Sequence, residues 1–150
     1  MPNREAHVPV GLGTALIASL SVSKDQKPEH QIYEAIGALF GGYWGSRLPD
    51  VLEPANNNPH HRAVAHSLAA GPTIAATAPE VATTWLKFFR EKADHLAQQR
   101  QTMRSSEVKI MSEVPEILLR IAAGVGPGLI VAYMSHLALD ACTRKSLPLA

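Results

Sequence analysis

The sequence predicts an all-α fold, a compact bundle of about five helices, on three observations. Aromatic residues make up only 5% of the chain while Ala, Gly and Leu dominate the apolar positions, which suits closely packed helices better than strands rich in Val, Tyr and Phe. Apolar residues recur at spacings of three and four in several stretches, the period of an amphipathic helix. Prolines and capping residues stand at the expected beginnings of those stretches. With 150 residues, 46% of them apolar and 18% charged, the chain has material for one core, so residues 1–150 are expected to form a single domain and global disorder is excluded.

The first helix is expected over Glu5–Leu20, ending in the polar segment Ser21–Lys27. Its uncharged part, Val8–Ser23, has the outline of a signal peptide, but Glu5 and His7 crowd the basic region and Gly11 and Gly13 interrupt the apolar run. Pro28 opens the second helix, where Ile32, Ala35, Ile36, Leu39 and Phe40 trace one apolar face and Gly41–Gly45 marks the end. Leu48–Pro59 reads as an ordered loop, because three prolines and three consecutive asparagines oppose helix. Asn58 then caps a third helix with Pro59 at its first position, and Gly71-Pro72 stops it. Thr77-x-x-Glu80 is a capping box for the fourth, whose stripe of Val81, Trp85, Phe88, Phe89, Leu96 and Met103 predicts core packing, or contact with another subunit. Lys87, Arg90, Glu91, Asp94 and Gln98 form its solvated face. Ser112 starts the last helix, with Pro115 in its first turn, and it runs through Gly124, Gly126, Pro127 and Gly128 to Cys142. Within it, Ile121–Leu139 lacks Asp, Glu, Lys and Arg and has about the minimum length for crossing a bilayer. A kinked core helix fits the same residues, so both readings stand.

Fourteen Lys and Arg against 13 Asp and Glu leave a net charge of +1, which indicates no nucleic-acid partner and no polybasic membrane patch. Cys142 is the only cysteine, so a disulfide framework and a thiolate-rich zinc site are excluded and any metal must take His and carboxylate ligands. Seven histidines make that worth pursuing. His136 and Asp140 project from one helical face at i,i+4 and can address one centre. His61 and His66, five apart, diverge by about 140° on an ideal helix, and converge only if His61 lies in a first turn that the loop carrying Asp50 and Glu53 can approach. Arg62 is a neighbouring cation able to hold a phosphate or a carboxylate. The plainer alternative leaves His60, His61 and Arg62 exposed and only His66 buried.

These residues resemble a known family. His61-Arg62-Ala63-Val64-Ala65-His66-Ser67 is similar to the HRGxTHS signature of the YdjM family of membrane-associated metal-dependent hydrolases. Glu5-Ala6-His7 resembles its early Gly-His, Leu48-Pro49-Asp50 with Pro54 its LPDxDHP segment, and Tyr133 to Asp140 its GYLSHxxxD segment. The order is the same and the likeness extends from His7 to Asp140. Two departures stand out: Ala63 replaces the glycine after His-Arg, and the family's DxDH becomes Asp50-Val51-Leu52-Glu53, losing one carboxylate and exchanging a histidine for Glu53.

The resemblance implies a metal site of His7, Asp50, His61, His66, His136 and Asp140, a ligand set suited to zinc or manganese. Six ligands exceed one catalytic zinc, so either two metals bind or some of the six support the others. Glu53 would orient water and Arg62 would assist an anionic substrate. A more distant similarity to zinc-dependent phospholipases C implies a small-molecule or lipid phosphoester as substrate. The expected activity is metal-dependent hydrolysis, in the cytoplasm or at the inner membrane. The loss at Leu52 motivates an alternative, a catalytically degenerate helical module that binds metal or protein, as a homo-oligomer or on a membrane. His30, His60 and His95 are left as bystanders.

Overall fold

A computed structural model describes residues 4–52, 70–102 and 106–142. Five helices account for nearly all of them, with no strand among the described residues: α1 (Arg4–Ser23), α2 (Pro28–Gly45), α3 (Leu48–Leu52), α4 (Ala70–Thr102) and α5 (Ser106–Ala141). The all-α bundle expected from composition is therefore present. α5 is its axis and packs against each of the other four helices. α1 and α4 run antiparallel to α5 and α2 runs parallel to it, as shown by the approach of His7 to His136, of Asp94 to Arg120, and of Gly37 and Gly45 to Ile121 and Leu129.

Several boundaries differ from expectation. Leu48–Leu52 is a short helix, not loop, because a proline near a helix start removes only an N–H that has no partner there anyway. α4 begins at Ala70, so Gly71-Pro72 lies in its first turn. Thr77 is no N-cap: its hydroxyl bonds back to the Thr73 carbonyl within the helix. α5 starts at Ser106, which puts Pro115 in its interior, and continues through the glycines without a break. α1 extends to Ser23, past Leu20. The third helix expected after Asn58 lies outside the described residues.

The larger correction concerns which faces are inside. Ile32, Ile36, Leu39 and Phe40 of α2 are exposed, and the buried face of that helix is Glu34, Gly37, Ala38, Gly41, Gly42 and Gly45. The α4 stripe behaves likewise in part, with Val81 and Phe88 outward. Large apolar side chains point away from the bundle while small and polar ones point in, the distribution expected where the surroundings are themselves apolar and helices associate through close backbone packing.

That packing is visible atom by atom. A Cβ added to Gly37, Gly41 or Gly45 would lie 1.8, 2.1 or 2.2 Å from the carbonyl oxygens of Ile121, Val125 and Leu129. Gly124 and Gly128 meet the Glu34 and Ala38 carbonyls in the same way. Glycine at every fourth position on α2 and on α5 thus brings two backbones together with no side chain between them. Gly126 serves a side chain instead, because its missing Cβ admits the Trp85 ring, whose indole N–H donates to the Ala122 carbonyl at 2.8 Å.

At one end the bundle closes on buried ion pairs. Arg90 grips the buried Glu34 through two hydrogen bonds of 2.8 and 2.6 Å and donates to the Val22 carbonyl, tying α1, α2 and α4 together. Arg90, expected on a solvated face, is instead held between helices. Buried Arg120 bonds Asp94 at 2.7 Å and Glu116 at 3.3 Å, and Arg100 reaches Glu116 at 3.0 Å.

Candidate metal centre

The opposite end of the bundle carries a second polar cluster, built by four helices. α1 supplies His7 from its first turns, α5 supplies His136 and Asp140 on successive turns, α3 supplies Asp50, and the residue that caps α2, Ser46, supplies a carbonyl. His7, His136 and Asp140 are all buried. Gly11 lets α1 come close enough, since a Cβ there would lie 2.5 Å from the Ser46 Cβ.

Nε2 of His7 lies 3.5 Å from Oδ1 of Asp140, and Nε2 of His136 lies 3.5 Å from Oδ2 of the same carboxylate. Asp50 Oδ1 stands 3.9 Å from His136 Nε2 and is the more exposed member, its side chain 29% accessible. The two imidazoles stack with centroids 4.0 Å apart and planes 20° from parallel. On the far side of its ring, His136 Nδ1 lies 2.6 Å from the Ser46 carbonyl. A carbonyl only accepts, so Nδ1 carries a proton, and Nε2 is the nitrogen that faces the carboxylates.

One donor atom from each of His7, His136 and Asp140 falls within 4.8 Å of the others, a group able to hold a metal ion. Hydrogen bonds between nitrogen and oxygen span about 2.7–3.2 Å. Ligands about 2.1 Å from a tetrahedral ion are instead about 3.4 Å apart, close to the two 3.5 Å separations here. The Ser46 contact matches the outer support that metal-binding histidines ordinarily have, a carbonyl fixing tautomer and ring orientation. Residues and spacing therefore fit a divalent cation.

Of the residues singled out in the sequence, His7, Asp50, His136 and Asp140 converge. Glu53, His61, Arg62 and His66 lie outside the described residues. Leu52, which replaces a family carboxylate, is 60% exposed. Ser46 had no sequence signal, because its contribution is a backbone carbonyl placed by the end of α2. His30, set aside as a bystander, is remote from the centre and belongs to the ion-pair end, with Nε2 3.6 Å from Glu116.

A family model described as YdjM inner membrane protein matches residues 1–150, the whole chain. No curated protein and no solved structure matches it.

Proposed function

The chain belongs to the YdjM inner membrane protein family, and from that membership and its polar centre we propose a divalent-metal-dependent hydrolase of phosphoesters. Association with the inner membrane follows from the family and from two helical stretches long and apolar enough to cross a bilayer, Ala6–Ser23 and Glu113–Ala141. The observation that carries the hydrolase reading is the convergence of two imidazole Nε2 atoms on the Asp140 carboxylate, with Asp50 beside them at the accessible edge.

A zinc or manganese ion in such a site supplies Lewis acidity, lowering the pKa of water and offsetting charge on a phosphoryl oxygen. The protein's part is positioning. Ser46 orients the His136 ring, ring stacking fixes His7 against His136, and Asp140 sets one carboxylate oxygen opposite each Nε2. Asp50 marks the side from which water and substrate arrive. Glu53, three residues on, is assigned to hold the attacking water and accept its proton, Arg62 to pair with the phosphoester anion, and His61 and His66 to complete the ligand set.

Metal analysis of detergent-purified protein tests the first half of the proposal. Loading with zinc or manganese after chelator treatment is expected to give stoichiometric metal, and His136→Ala and Asp140→Ala should each lose most of it. Protein that stays metal-free ends the reading. The second half is tested by phosphomonoesters and phosphodiesters offered to the loaded protein: stoichiometric metal with no hydrolysis of any of them would favour a binding module.

A further inference from the structure

The two polar clusters lie at opposite ends of one helix. Glu116 and Arg120 anchor the ion-pair end and His136 and Asp140 the metal end, and no Asp, Glu, Lys or Arg intervenes between Arg120 and Asp140. At the rise of an α-helix the levels of Arg120 and Asp140 are roughly 30 Å apart, the hydrocarbon thickness of a bilayer. The other helices agree in register. Arg90 draws the end of α1 and the start of α2 to the ion-pair level through Val22 and Glu34, whereas His7 and Ser46 bring the other ends of the same helices to the metal level.

Between these levels the outward side chains of α1 and α2 are apolar, Ile17 and Leu20 on α1 and Ile36, Leu39 and Phe40 on α2, whereas α4 presents Val81 and Phe88 together with the exposed Glu80 and Thr84. Tyr43 and Trp44, both exposed, lie about midway between the two levels, since Gly45 beside them meets Leu129. The ends differ in cations. Lys24, Lys27, Lys87, Arg90, Lys92, Arg100 and Arg120 belong to the ion-pair end, against Arg4 and Arg47 at the metal end, among the described residues. Lys109, near the start of α5, adds to the first group, eight against two among the described residues. Lys and Arg near membrane spans are retained on the cytoplasmic side, and the rule counts cations, not net charge.

We propose that the bundle crosses the inner membrane with its ion-pair end in the cytoplasm, so that the metal centre opens at the non-cytoplasmic interface and takes substrate from that side. The statement about substrate rests on the hydrolase reading; the orientation does not. α4 and α5 continue past the ion-pair level as a charged helical pair that stands in the cytoplasm.

Cys142, the only cysteine and exposed just beyond Asp140, reports the metal end. The other end is reported by Asp25→Cys, in the exposed connection between α1 and α2, made in a Cys142→Ser background. A membrane-impermeant maleimide added to intact spheroplasts is expected to label Cys142 and not the Asp25→Cys variant, and inside-out vesicles should give the reverse. The opposite pattern overturns the orientation, and labelling of both positions from one side overturns the crossing. Neither readout depends on metal or hydrolysis, so the hydrolase reading can fail while this one stands, and conversely.

Discussion

His136 and His30 show how one residue type takes different roles from its neighbours. His136 has Nδ1 at the Ser46 carbonyl and Nε2 before carboxylates, the arrangement that suits a metal ligand. His30 lies beside Glu116 but also near Arg120; burial first, and then the Arg120 charge, hold its pKa below the ordinary 6.5 against the pull of Glu116. The consequence for stability has a definite sign. Above pH 6.5 folded and unfolded chains both carry neutral His30; below it the unfolded chain takes up a proton that the folded one resists, so stability falls as pH falls toward the lowered folded value. Melting in detergent at pH 7.5 and 5.5 should therefore show a smaller acid-induced drop for His30→Gln than for the unaltered chain; equal drops would refute the assignment. At this scale the sequence was informative about side chains that act through their own chemistry. His7, Asp50, His136 and Asp140 were legible from residue type and motif order. Ser46 was not, since any residue offers a carbonyl, and the partnership of Arg90 with Glu34 depends on helices far apart in sequence.

The helices themselves were legible from periodicity, but their orientation was not. The α2 stripe of Ile32, Ile36, Leu39 and Phe40 is the signature of a core-facing surface in water; here it faces out, and Gly37, Gly41 and Gly45 face in. Periodicity reports that a helix has two faces, and the surrounding solvent decides which is buried. The Thr77-x-x-Glu80 box misled as a helix start, since α4 runs unbroken from Ala70 to Thr102. The glycine contacts make the packing testable. In Gly41→Ala the new methyl would meet the Val125 carbonyl at 2.1 Å and the Leu129 nitrogen at 2.8 Å, backbone atoms that yield only if α2 and α5 part. Overpacking of this kind costs about 1–3 kcal/mol. Gly13→Ala is the control: nothing lies within 4 Å of its added Cβ, and replacing a mid-helix glycine by alanine is worth roughly 0.5–1 kcal/mol in favour of the helix. Thermal melts in detergent should show a clear loss for the first and none for the second; similar melts would mean that close backbone packing does not hold the bundle.

Across the whole molecule the near-neutral charge and the average apolar content conceal a strongly ordered distribution. A mean hydropathy of −0.01 describes neither the apolar Ile121–Leu139 stretch nor the charged helical pair beyond Arg120. The two halves cancel in the average, which is why composition alone left soluble and membrane readings open, and why the outward residues decide between them. Phe40 is the sharpest test, being 60% exposed and on α2 between the ion-pair and metal levels. On a water-facing surface, Phe40→Lys would be close to neutral, within about 0.5 kcal/mol. Facing lipid, a lysine costs about 2.5–3.5 kcal/mol to insert at the centre of a span; Phe40, beside Gly41 and so near the level of Val125, lies off that centre, and a smaller penalty that still lowers the membrane-inserted yield is expected. The unaltered chain is expected to stay in the membrane pellet through an alkaline carbonate wash, while Phe40→Lys is depleted from that fraction. Asp25→Lys, at an exposed connection beyond the apolar band, separates depth from charge: it should insert normally even though it changes the net charge by more than Phe40→Lys does. Equal retention of Phe40→Lys and the unaltered chain would place that face of α2 in water.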